Sequence, residues 1–297
     1  MGFLLRPMKQ NRPLFEVHLA VLLFGLAGLF GKWLTLSPLA IVLGRVVLAS
    51  LALAAALGFS RQRLWPRRAR HLALFAPMGL VLAVHWAAFF KSIQVSTVAV
   101  GLLSYSSFPL FTAFLEPLWL KERFERLSIL LSLVCLAGVF LIVPRWEISH
   151  SVAQGVAWGL LSGLSFSVLA VLNRIMTRTY SSLQTAFQQD FFAGVFLCPL
   201  VLWTPPSLTL RDIGLLAVLG ILCTAGAHTL FINGMKSLGA RAASLISALE
   251  PVYGIVLAFL LLKEKPALRT ILGGTLILTA VLLVSLRKSA KSESRAN

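Results

Sequence analysis

The side chains most able to bind or carry a small charged molecule lie inside strongly apolar stretches of this 297-residue sequence. His85-Trp86 occupies one such stretch, with Phe89 a helical turn on, and His228 occupies another. An imidazole titrates near pH ~6.5, so either could carry a proton in the physiological range. A core histidine bonded to a neighbouring helix is the plainer alternative. Ser104-Tyr105-Ser106-Ser107 runs up to Pro109, whose ring removes an intrahelical hydrogen bond and frees a carbonyl one turn back. The hydroxyls can meet that carbonyl or a substrate's amine or carboxylate; serines packed at a kink would look the same. Glu250-Pro251, with Tyr253 beyond, presents a carboxylate beside a second such proline. Gln188, Gln189 and Asp190 form another polar point, and Arg45 stands about a third of the way into its own apolar stretch. Charged groups at such depth are costly, so they pair with one another or line a pathway. Trp158, Trp86, Tyr105 and Tyr253 could form an apolar wall for an aromatic or aliphatic side chain. The substrate-binding set is thus His85, Trp86, Ser104, Tyr105, Trp158, Gln188, His228, Glu250 and Tyr253. No metal-ligand spacing, catalytic cluster or cofactor motif accompanies it.

These groups must be carried by helices in a bilayer. Hydrophobic residues make up 58% and charged residues 12%, too apolar for a soluble surface and far from a disordered composition. Cys135, Cys198 and Cys223 lie in apolar stretches as small hydrophobes. A span needs about 20 apolar residues. Ten segments qualify: 16–34, 38–58, 71–91, 94–116, 127–144, 152–173, 183–203, 211–234, 240–262 and 268–286. The basic start followed by an apolar run imitates a secretory signal, but the run passes any plausible cleavage site and reads as an uncleaved first span.

The net charge of +17 is distributed as an orientation signal rather than a nucleic-acid footprint. With the N-terminus in the cytoplasm, nineteen Lys and Arg fall on cytoplasmic segments and seven outside, with Arg45 within a span. The densest cytoplasmic run is Arg61, Arg63, Arg67, Arg68 and Arg70. Both termini are therefore expected in the cytoplasm. Trp33, Trp65, Trp146 and Trp203, near span ends, read as interfacial anchors.

The chain also repeats itself. Residues 89–143 align without gaps on 231–285: Phe89 on Phe231, Leu103 on Leu245, Pro109 on Pro251, and Leu120-Lys121-Glu122 on Leu262-Lys263-Glu264. Gly25 and Gly163 occupy similar places in the first and sixth spans. Five spans per half is an odd number, so the second half must enter the membrane upside down. Residues 1–147 and 148–297 are then two inverted five-helix repeats of an all-α integral membrane protein with ten transmembrane helices. Such symmetry suits a transporter, because two similar halves can exchange conformations and open a central site to either face. Gly155, Gly159 and Gly163 form a small-residue stripe suited to a tight internal seam. Lys121-Glu122 and Lys263-Glu264 read as helix-end charges that help set topology.

Ten spans, two five-helix halves and the Pro…Lys-Glu ends of spans four and nine resemble the drug/metabolite transporter superfamily, and within it the EamA-type transporters. Leu23-Phe24-Gly25-Leu26-Ala27-Gly28-Leu29-Phe30-Gly31-Lys32 and Glu250-Pro251 are similar to segments found there. Span four departs from span nine by carrying Phe108 where the other has Glu250, so that carboxylate serves one half only. The resemblance implies a secondary transporter, an exporter of small metabolites such as amino acids, with aromatic amino acid exporters as the nearest comparison. The expected partners are that substrate, the lipid bilayer and a proton as coupling ion, with no nucleic acid. The expected location is a bacterial inner membrane, which short loops and the lack of any N-x-[ST] acceptor also fit. A membrane enzyme acting on a lipid or lipid-linked substrate is the alternative, but it would need long loops and clustered catalytic groups. The lack of a phosphate-binding G-x-x-x-x-G-K-[ST] loop disfavours ATP-driven pumping.

Overall fold

A computed structural model describes residues 6–66, 68–120, 126–142, 150–176, 179–231, 233, 246–247 and 249–294. All regular structure among them is helical. The helices are α1 (Arg6–Trp33), α2 (Pro38–Phe59), α3 (Ala69–Val95), α4 (Val98–Tyr105), α5 (Phe108–Leu120), α6 (Arg126–Ile142), α7 (Ser151–Met176), α8 (Ser182–Trp203) and α9 (Leu210–Ala217). A π-helical stretch, Val218–Gly226, follows α9 and returns to α-geometry in α10 (227–231). Two further helices are α11 (Glu250–Leu262) and α12 (Leu268–Ser294). Seven helical stretches are long and apolar enough to cross a membrane, and Leu133–Ile142, Glu250–Leu262 and Leu268–Ala280 are shorter apolar helices among the described residues.

The fourth expected span is broken rather than continuous. α4 ends at Tyr105, Ser106 and Ser107 form a turn, and α5 restarts at Phe108. Pro109 has no N–H to offer the Tyr105 carbonyl four residues back. The hydroxyls satisfy backbone instead: Ser106 Oγ donates to the Leu102 carbonyl and Ser107 Oγ to the Ser104 carbonyl, each at 2.7 Å. The same break recurs 142 residues later, with a turn at Leu249 and a restart at Glu250 before Pro251.

Contacts between helices respect an exchange of the two halves. α2 packs on α8 and α6 on α12, pairs that the exchange maps onto themselves, and α4 of the fourth expected span packs on α11 of the ninth. α3 with α8 maps onto the π-helical stretch with α2, and α5 with α7 maps onto α11 with α1. The tightest crossings use glycine. A Cβ at Gly138 of α6 would stand 2.7 Å from the Gly273 carbonyl oxygen of α12, and one at Gly273 would stand 2.5 Å from that of Gly138. The stripe on α7 is an internal seam: Gly155 faces Ser96, Gly159 faces Ser104, and Gly163 lies against the Tyr105 carbonyl freed by Pro109.

Loops expected on one side of the membrane share one end of the bundle. Lys32 Nζ donates to the Ser96 carbonyl at 2.6 Å, and Gln94 Nε2 to the Leu36 carbonyl at 2.9 Å. At the opposite end Ser181 Oγ donates to Gln62 Oε1 at 2.7 Å, and His71 bonds Tyr180.

At the first end Glu264 makes a contact that its sequence position did not reveal. Lys263 adopts a left-handed conformation with φ 58° and turns the chain out of α11. Glu264 Oε2 then accepts the Val98 N–H at 3.0 Å. Together with Thr97 Oγ1, which accepts the Val100 N–H at 3.1 Å, it caps the start of α4. The C-terminal end of α11 therefore meets the N-terminal end of α4, so the two helices run antiparallel. A carboxylate at a helix N-terminus answers both the orphan N–H groups and the helix dipole. Glu264→Ala is expected to cost about 1 kcal/mol, and Glu264→Gln less because its amide oxygen still accepts. Thermal unfolding in detergent measures both; an unchanged melting temperature for Glu264→Ala would show the cap to be idle.

Candidate functional site

Arg45 is the charged centre of the interior. Ser37 Oγ caps α2 at one end of the bundle and Ser181 Oγ caps α8 at the other, so Arg45 and Asp190 each stand about two turns into two packed, corresponding helices. Arg45 is only 4% exposed. Its Nε donates to Thr224 Oγ1 at 2.8 Å, and its guanidinium carbon lies 3.7 Å from the centroid of the Trp86 ring. Such stacking suits a planar, weakly hydrated cation. Thr224 belongs to the π-helical stretch and returns its own hydroxyl to the Leu219 carbonyl at 2.7 Å. A Cβ at Gly220 in that stretch would stand 2.7 Å from the Arg45 carbonyl oxygen, so the glycine lets α2 approach. The widened helix and the arginine are one local construction. π-Bulges often mark functional sites, and the eighth expected span gave no sign of one beyond its polar Thr224 between two glycines.

An aromatic group adjoins the arginine. His85, 4% exposed, sits with Nδ1 3.0 Å from the Ser162 carbonyl and 2.9 Å from Ser162 Oγ. Its ring centroid lies 4.9 Å from that of Phe166 and 5.4 Å from that of Tyr105. Tyr105 stacks on Phe108 at 5.3 Å and meets Phe89 and Phe166 edge-on, each at 5.6 Å. Ser104 Oγ is fully buried beside this group without a hydrogen-bond partner.

The expected residues therefore divide. His85, Trp86, Ser104 and Tyr105 are brought together. His228 and Tyr253 make their ring and hydrogen-bond contacts in a second group: His228 meets Phe24 edge-on at 5.3 Å, and Tyr253 Oη lies 2.7 Å from His18 Nδ1. Glu250 and Asp190 both interact electrostatically with Arg45, and no salt bridge within 4 Å joins them to it. Trp158 departs from expectation. It is 39% exposed on the outer surface of α7, because the inward stripe of that helix is its glycines. The wall is built instead by Phe89, Phe108 and Phe166. Of these, Phe108 follows Ser107 and Phe166 lies between Ser165 and Ser167, but the rings carry no polar group of their own to single them out in a sequence with 20 phenylalanines. Gln188 is fully buried and also apart: its Nε2 donates to the Leu64 carbonyl at 2.6 Å. With Trp65, whose ring packs on Phe187 and Phe191, it pins the Arg-rich loop to α8. At the end of the bundle near Lys32, a pocket of about 540 Å³ is lined by residues including Lys32, Thr35, Ser37, Lys91 and Gln94.

Known proteins place this arrangement. The EamA-like transporter family matches the chain twice, over residues 13–143 and again over 153–286. The chain belongs to that family. The two family matches fall one on each half of the internal repeat. Among its relatives, uncharacterized transporter YxxF of Bacillus subtilis is 22% identical over 97% of this chain and 94% of its own. An uncharacterized transporter of Helicobacter pylori is 27% identical over 93% of this chain and 96% of its own. A solved crystal structure superposes with a TM-score of 0.64 over 93% of this chain and 95% of that one, at 16% identity, which is a likeness of fold. This EamA-like protein is thus a multi-span helical membrane protein whose relatives are named transporters.

Proposed function

We propose that the protein is a secondary transporter that exports small metabolites, amino acids and aromatic ones among them, across a bacterial inner membrane by alternating access. The observation that carries this reading is the exchange symmetry. Helix contacts of one half map onto those of the other, the proline breaks coincide at an offset of 142 residues, and α4 and α11 run antiparallel. Residues 1–147 and 148–297 act as two inverted repeats, completed to ten spans by the shorter apolar helices. Alternating access follows when one half adopts the conformation of the other and the central site changes face. The substrate lies between α3 and α4 of the first half and the helices of the second, with His85, Trp86, Ser104 and Tyr105 on one side and Glu250, His228 and Tyr253 towards the other. Buried His85 and Asp190 and half-buried Glu250 offer titratable groups for a coupling proton. Flux of labelled amino acids into proteoliposomes, with and without a proton gradient, tests the function; absence of flux for every metabolite offered would reject it.

Topology has its own test. With Cys135, Cys198 and Cys223 replaced, single cysteines at Gln62 and Ser207, both exposed, are expected to face opposite sides. An impermeant thiol reagent applied to intact cells should modify position 207 and spare position 62. Labelling of position 62 from outside would overturn the orientation.

A further inference from the structure

We propose that the interior around Arg45 binds a zwitterion by both charged ends, with Arg45 receiving the carboxylate of an α-amino acid and Glu250 its ammonium. This rests on the transporter reading and narrows its substrate class. Arg45 uses only Nε, bonded to Thr224. Its two terminal nitrogens, the pair that grips a carboxylate in a forked bond, have no hydrogen-bond partner among the described residues, although the side chain is 4% exposed. Neither nitrogen is sealed off, since the fully buried side-chain atoms without a partner among the described residues are Ser50 Oγ, Ser104 Oγ and Gln188 Oε1, so a ligand's acceptor can reach the fork. Neither carboxylate in electrostatic reach, Asp190 or Glu250, comes within 4 Å of it.

The sign count selects the ligand. One buried cation faces two acids, Asp190 buried and Glu250 half-buried. A simple anion would answer the arginine and worsen the acidic excess, and a simple amine would leave the fork empty. A zwitterion answers both. Glu250 is the better ammonium partner because it acts electrostatically on Tyr105 of the aromatic group as well as on Arg45. That group begins one ring away: Trp86, beneath Arg45, lies 6.2 Å from His85, which adjoins Tyr105 and Phe166. The arrangement favours an apolar or aromatic side chain.

The experiment is a binding comparison on the full-length protein in nanodiscs, read by melting temperature and by competition. The probes are L-phenylalanine, L-phenylalaninamide, 3-phenylpropionate and 2-phenylethylamine, which share a ring and differ in charged ends. L-Phenylalanine is expected to bind at least about tenfold more tightly than the three others. Arg45→Gln, and Arg45→Lys, which keeps the charge without the fork, should erase the preference over the amide. Glu250→Gln should erase the preference over 3-phenylpropionate while leaving that over the amide. Should Arg45→Gln fail to fold, the ligand series and Glu250→Gln still decide. Equal binding of the amide or of 3-phenylpropionate to the unaltered protein would overturn the zwitterion site, as would wild-type preferences in the folded variants. If none of the four binds but liposomes still exchange another labelled metabolite, the zwitterion site falls and the transporter stands. If nothing exchanges, the transporter reading itself falls.

Discussion

Replacing Trp86 or Tyr105 with alanine is expected to lower substrate flux about tenfold or more per inserted molecule, corresponding to at least ~1.4 kcal/mol of lost interaction. Trp86 is the platform under Arg45, and Tyr105 joins His85, Phe89, Phe108 and Phe166 into one aromatic group. Both are buried, at 5% and 7% exposure, so truncation also leaves a cavity. Burial losses of this kind cost about 3–5 kcal/mol for an aromatic residue. Flux must therefore be normalised to folded protein, and Tyr105→Phe, which keeps the ring, is expected to retain most of it. Trp203 is 88% exposed and makes a suitable control, with little change on substitution by alanine. Normal flux in both the Trp86→Ala and Tyr105→Ala proteins would remove the aromatic group from the pathway while leaving the transporter reading open.

A large loss of stability is also expected at the crossing of α6 and α12. Gly138 and Gly273 each lie against the other's backbone carbonyl, at 2.7 and 2.5 Å from where a Cβ would stand. Backbone cannot turn aside as a flexible side chain does. Gly138→Leu or Gly273→Leu must therefore force the helices apart, at about 3 kcal/mol or more, the upper range for overpacking. Gly58, where an added Cβ would meet nothing within 4 Å, offers the comparison: Gly58→Leu should be nearly neutral. The measurement is thermal unfolding in detergent. A Gly138→Leu protein as stable as the unaltered chain would mean that α6 and α12 do not cross as described.

Much of this protein was determined by its sequence alone. Apolar stretches of bilayer length require helices, because hydrocarbon offers backbone groups no other partner. The run of basic residues marked which loops belong together, and the bundle gathers Lys32 with Ser96 and Gln62 with Ser181 as that assignment requires. Pro109 and Pro251 marked the breaks through a missing N–H, although Pro77 and Pro199 stand inside continuous helices. The glycine stripe of α7 marked a close seam, because only small residues admit one.

The tertiary structure decided what depended on direction and distance. Lipid tails and protein interior are equally apolar, so hydropathy did not tell a wall residue from a surface one. Trp158 consequently turned out exposed while Phe108 and Phe166 turned inward. Gln188 has the chemistry of a ligand contact but spends its amide on the Leu64 carbonyl, a partner more than a hundred residues away that no local pattern indicates. Glu264 looked like an end charge until the left-handed turn at Lys263 brought it to the start of α4. Arg45 was visible as a buried charge, yet its partners, Trp86 from α3 and Thr224 from the π-helical stretch, meet it only because three helices cross there. Side-chain identity states what a group is able to bind. Which groups converge is settled by helix packing between distant parts of the chain.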